Sequence, residues 1–136
     1  MTTEDQNAEM PPIRPERPWH AKFRDAFRGL KCGIRGQSSF FAHFFMAAVV
    51  LVAAALLHLN HTEWCLLTLC IFTVLSAEMF NSAIESMARA ITDENDPHVG
   101  QALDIGSAAV LLASIGASLV GLIIFLRHVS LPIEWL

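Results

Sequence analysis

Charge is scarce in this chain. Only 16% of its 136 residues are Asp, Glu, Lys or Arg, against about a quarter in ordinary soluble domains. The hydrophobic share is 54% and the mean hydropathy +0.46, more apolar surface than one soluble core of this length uses. Basic residues are scarcer still once the chain is under way: seven of the nine Lys and Arg (Arg14, Arg17, Lys22, Arg24, Arg28, Lys31, Arg35) precede the first long apolar run. The three cysteines, at 32, 65 and 70, are odd in number and form no CxxC pair, so the sequence offers neither a disulfide framework nor a zinc site. There is no Walker A motif and no soluble-kinase signature, so any nucleotide site has to be built another way. What is left is a membrane protein of one domain.

Residues 1–18 carry Pro11, Pro12, Pro15 and Pro18 without periodicity, and are expected to be a disordered tail. The first apolar run starts too late for this segment to read as a signal peptide. The membrane domain is expected over 19–130, with a short C-terminal tail at 131–136. Within it Trp19, Phe23, Phe27, Leu30 and Ile34 recur at three- and four-residue steps among basic residues. That pattern predicts an amphipathic helix over 19–36 lying in a membrane interface; a surface helix packed on protein is the alternative. Three apolar segments follow, at about 40–59, 64–91 and 102–126, each long enough to cross roughly 30 Å of hydrocarbon. The connection from His58 to Trp64 is short, so the first two spans run antiparallel, and Trp64 is placed as a belt aromatic. His43 reads as an interfacial or packed neutral histidine rather than a ligand. In the third span Ala109, Ala113, Ala117 and Gly121 repeat every four residues, a small-xxx-small row that lets helix backbones approach closely. The fold expected is all-α: three transmembrane helices and an N-terminal surface helix, assembled as an oligomeric bundle.

The bias of Lys and Arg keeps the N-terminus in the cytoplasm. Three crossings then put loop 58–63 outside, loop 92–101 inside and the C-terminus outside.

Against that apolar background the second span spends three polar residues on one face. Glu78, Asn81 and Glu85 are spaced i, i+3 and i+7, so they share a stripe along a helix. Intramembrane carboxylates are costly and point to function. With Asp104 they fall toward the cytoplasmic end. A carboxylate at head-group depth can take the proton from a lipid hydroxyl. A second one nearer the water can hold Mg²⁺ carrying a nucleotide, because that ion favours a few carboxylates plus phosphate oxygens. Phosphoryl transfer depends mainly on such positioning and charge neutralisation. A structural cluster tying helices together is the other use of the same residues. The acidic loop Asp93-Glu94-Asn95-Asp96-Pro97 has strong turn chemistry and lacks the spacing of a calcium loop.

Glu78-Met-Phe-Asn-Ser-Ala-Ile-Glu85, followed by Ala102-Leu-Asp-Ile-Gly-Ser-Ala-Ala-Val110, resembles the bacterial integral-membrane diacylglycerol/undecaprenol kinase family. Its hallmark is E-x-x-N-[ST]-A-I-E and then A-K-D-x-[AG]-[AS]-A-A-V. The likeness runs from Lys22 to Arg127 and takes in Phe27-Arg-Gly-Leu30 and Glu63-Trp64. The resemblance implies a homotrimeric lipid kinase of the cytoplasmic membrane, with active sites between protomers. It would phosphorylate diacylglycerol or undecaprenol from ATP with Mg²⁺. By resemblance Glu78 matches the catalytic base and meets the lipid, and Ser107 falls close to the lipid site. Glu85 and Gln37 match the metal-binding positions. Asn81 matches the supporting amide, Asp104 a nucleotide-site carboxylate, and Glu94, Asn95 and Asp96 the loop that contacts nucleotide. The implied partners are the lipid substrate, ATP, the bilayer and further copies of the chain, with no nucleic acid. Ser39-Phe40-Phe41 stands where the family frequently has Asn-Phe-Arg, and three charge changes surround the nucleotide site: Gln37 for a glutamate, Arg89 for an aspartate and Leu103 for a lysine. They favour the alternative of a non-enzymatic membrane scaffold or lipid-binding trimer, while Arg89 is also a candidate replacement for the missing lysine at the phosphates.

Overall fold

The computed structural model describes residues 18–35, 38–91 and 96–129. Among these residues four helices follow one another: α1 (Trp19–Arg35), α2 (Ser38–Leu56), α3 (His61–Ile91) and α4 (Pro97–Val129). Among the described residues there is no strand. α2, α3 and α4 are each long and apolar enough to cross a membrane, so the chain is a multi-pass membrane protein. The tail before Pro18, the residues after Val129, and Gln37, Glu94 and Asn95 lie outside the described residues.

The α2–α3 connection is built from the chemistry of its own residues. α2 closes with two backbone bonds, from the His58 N–H to the Ala55 carbonyl (3.3 Å) and from the Leu59 N–H to the Ala54 carbonyl (3.3 Å). With His58 left-handed at φ 51°, this is a Schellman ending in which histidine takes the place usually held by glycine. Leu59 then folds back onto Ala54, and both are buried with Leu67 and Ile124. One residue later α3 begins with a capping box. Asn60 Oδ1 accepts the Glu63 N–H (3.0 Å), and Glu63 Oε2 accepts the Asn60 N–H (3.0 Å), so two otherwise orphaned donors are satisfied reciprocally. Trp64 packs on the same apolar cluster, which fixes the angle at which α3 leaves the turn. It is half-buried against protein.

α4 starts earlier than hydropathy suggests, and the acidic loop explains why. Asp96 Oδ1 accepts the backbone N–H of His98 (2.8 Å) and Val99 (3.1 Å), making it an N-cap. Pro97 occupies the first helical position, where its missing N–H costs nothing. α4 runs antiparallel to α3, since Gly106 meets Asn81 at one end and Gly121 approaches Leu67 at the other. Of the small-residue row, Gly121 is buried and Ala113 and Ala117 half-buried, while Ala109 is exposed.

α2 packs more lightly. Its far end joins the apolar cluster through Ala54, and at its start Phe40 is the largest fully buried side chain. α1 rests against α3 where Gly33 meets the thioether of Met79; it buries none of its residues and leaves Trp19, Phe23 and Phe27 exposed. Lys22 sits over the Trp19 ring, 4.7 Å from its centre, a cation–π contact that covers part of that aromatic surface.

Candidate functional site

Among the described residues two carboxylates of α3 are deeply buried: Glu78 is 3% exposed and Glu63 4%. Glu63 is accounted for by structure. Besides its capping box, it faces His128 Nε2 at 3.5 Å and an Arg127 guanidinium nitrogen at 3.8 Å, so it ties the start of α3 to the end of α4. Glu78 caps nothing. It lies mid-helix on α3, and its polar contacts come from α2.

The Ser39 hydroxyl donates to Glu78 Oε1, and His43 Nε2 stands 3.8 Å from Oε2. Ser39 and His43 are one turn apart, so they project from the same side of α2. By sequence alone His43 reads as an interfacial or packed neutral histidine and Ser39 as part of a turn before the first span. The available signal was their i, i+4 spacing, but it has meaning only once the register of α2 against α3 is known.

One turn along α3 the stripe turns to α4. Asn81, 7% exposed, donates through Nδ2 to Glu85 Oε1 (2.9 Å). Its Oδ1 is buried with no hydrogen-bond donor among the described residues and lies against Gly106, where an added Cβ would come within 2.6 Å of it. Glu85 is partly exposed, and an Arg89 guanidinium nitrogen stands 3.8 Å from its Oε2. Residues 81, 85 and 89 thus form a polar ladder running from buried Asn81 to exposed Arg89.

Asp104 is exposed on α4, and no contact among the described residues brings it to Glu85. The Ser107 hydroxyl, also exposed, bonds back to the Leu103 carbonyl (3.0 Å), and Leu103 is half-buried. Asp96 caps α4 through one oxygen. Gln37, Glu94 and Asn95 fall outside the described residues.

Between α2, α3 and α4 lies an apolar crevice of about 590 Å³. His43, Met46, Ile71, Leu75, Ser114 and Phe125 are among the side chains that line it. His43 therefore touches both the crevice and the buried carboxylate.

Among the described residues no three His, Cys, Asp or Glu converge as a metal cage. The donor set does suit an ion that brings most of its own ligands. Glu85 is one accessible carboxylate, steadied by an amide, and Mg²⁺ bound with phosphates takes only one or two carboxylates from protein.

Fold and site together define a multi-pass helical membrane protein with a buried carboxylate and an amide–carboxylate ladder on its central span. A family model described as prokaryotic diacylglycerol kinase matches residues 24–125, and the chain belongs to that family. It is 34% identical over 104 residues to an undecaprenol kinase of Bacillus subtilis, covering 76% of this chain and 85% of that one. It is 34% identical over 100 residues to a diacylglycerol kinase of Synechocystis, covering 73% of this chain and 57% of that one. A diacylglycerol kinase of Haemophilus influenzae is 28% identical over 88 residues, 65% of this chain and 75% of its own.

Proposed function

We propose that this protein is a lipid kinase that transfers the γ-phosphate of ATP to the hydroxyl of a membrane lipid, diacylglycerol or undecaprenol. The observation that carries this is Glu78, buried on a membrane span beside the Asn81–Glu85 pair. Glu78 accepts the hydroxyl proton as the lipid oxygen bonds to the γ-phosphorus. The bond from that phosphorus to its bridging oxygen breaks, and ADP leaves with the electron pair. A base held at the reacting oxygen contributes about 10²–10⁴-fold in such steps. Glu85, held by Asn81, is the residue that would hold Mg²⁺, with Gln37 as a second ligand. When bound, that ion neutralises the phosphate oxygens around which charge develops. Asp104, Glu94, Asn95 and Asp96 would meet the nucleotide, and Ser107 the lipid. The crevice below His43 offers an apolar channel for a lipid chain.

Several further features belong to the same proposal. The N-terminus and the Glu78 end face the cytoplasm, where ATP is, and the membrane is the cytoplasmic one. α1 lies in the interface. The working unit is a homotrimer.

Arg89 favours a second function. Its cation beside Glu85 competes with a metal there, and Leu103 offers no charge to phosphate. A non-enzymatic scaffold or lipid-binding trimer would be indifferent to both. One assay separates the two: phosphate transfer from labelled ATP to diacylglycerol and to undecaprenol in mixed micelles, with Glu78→Gln and Glu85→Gln alongside. The kinase transfers label, and Glu78→Gln loses it by at least about 100-fold. Equal labelling by wild type and Glu78→Gln on both lipids assigns the scaffold.

A further inference from the structure

The two oxygens of Glu78 are not equivalent. Oε1 receives the Ser39 hydroxyl, which fixes the side-chain rotamer and occupies that oxygen. Oε2 faces the His43 ring at 3.8 Å, beyond hydrogen-bond reach, so His43 does not occupy it. His43 also lines the apolar crevice and so stands between that space and Oε2. A carboxylate this buried is very costly without polar neighbours, and both neighbours here come from one turn of α2.

We infer that His43, together with Ser39, is a positioning residue for Glu78: the pair turns the carboxylate so that Oε2 is the oxygen that takes the lipid hydroxyl proton. Ser39 anchors the far oxygen and His43 guides the near one from the crevice side. This rests on the lipid-kinase proposal above and deepens it. It gives the base a defined atom and gives α2 a part in the chemistry. Placement of this kind carries weight in rate, since a misplacement of about 1 Å at a reacting group can cost on the order of 10²-fold.

The test uses the full chain in mixed micelles, measuring kcat and KM for ATP and for the lipid, with thermal unfolding recorded for every variant. His43→Leu keeps the bulk and removes the nitrogen. It is expected to lower kcat about 10- to 100-fold while both KM values stay within about twofold, because orientation and not binding is lost. His43→Gln, whose amide nitrogen reaches close to the position of Nε2, restores kcat to within about fivefold of wild type. Ser39→Ala lowers kcat in the same sense. Should His43→Leu not fold, His43→Asn, polar but too short to reach Oε2, takes its place with the same expected loss. Wild-type kcat in the Leu or Asn variant, a loss that appears in KM, or a loss that Gln does not relieve overturns the positioning role and leaves the kinase standing. Absence of phosphate transfer in the wild type overturns both.

Discussion

At Gly106 two effects of a single added methyl group oppose each other. Alanine in place of glycine within a helix is worth about 0.8–1 kcal/mol in propensity. The new Cβ, however, would lie 2.6 Å from Asn81 Oδ1 and 3.4 Å from Ile84, and overpacking of that kind costs about 1–3 kcal/mol. The two nearly cancel in stability, with a net loss of about 0–2 kcal/mol. They do not cancel in function, because the atom that must give way belongs to the amide that holds Glu85. Gly106→Ala, a substitution the family pattern admits, is therefore expected to lower kcat by about 2- to 5-fold while unfolding within a few degrees of wild type. Paired kinetics and thermal melts check this; a drop in melting temperature with unchanged turnover would assign Gly106 to packing alone. The sequence marks Gly106 only as one small residue among several. Its proximity to Asn81 is a property of the α3–α4 register.

At the scale of elements, the clearest legibility is in the helices themselves. Apolar length and the lack of charge mark all three spans, and the 78–81–85 spacing predicts one polar face, which the helix has. The ends were harder to read. Asn60 and Glu63 spell a capping box, and Asp96-Pro97 spells a helix start, yet hydropathy alone places both boundaries several residues late because it is blind to capping. The hairpin permits a direct test. His58 holds a left-handed conformation that costs a side-chain-bearing residue about 1–2 kcal/mol. His58→Gly is expected to raise stability by about 0.5–1 kcal/mol. Asn60→Ala, which removes the cap, is expected to lower it by about 1 kcal/mol. Thermal unfolding in a fixed detergent reads both; a gain from Asn60→Ala would be incompatible with the capping box.

For the whole molecule, the decisive fact is how little the chain buries against itself. In the most apolar stretches of α2, α3 and α4 only 11%, 28% and 11% of the residues are buried. In water such exposure would be untenable; in a bilayer, lipid or neighbouring protein covers it without a hydrophobic penalty. Here the sequence is least informative, because residues facing lipid and residues facing another helix are equally apolar. That is also why the partners of Glu78 on α2 escaped the sequence while Glu78 itself did not. Orientation can be tested through Cys32, which is exposed on α1. With Cys65 and Cys70 changed to serine, a membrane-impermeant maleimide should label Cys32 in inverted vesicles and spare it in intact cells. Labelling in intact cells instead would reverse the topology and place the Glu78 end away from ATP.

The contact between Ser39 and Glu78 has an implication for how inactive variants are interpreted. One side chain is both reagent and fastener, since the carboxylate proposed to do the chemistry also holds the start of α2 to α3. Glu78→Gln keeps a carbonyl oxygen for the Ser39 hydroxyl, so it removes the reagent and leaves the fastener. Glu78→Ala undoes both. Comparing the two separates the part of the lost turnover that belongs to proton transfer from the part that belongs to a helix come loose.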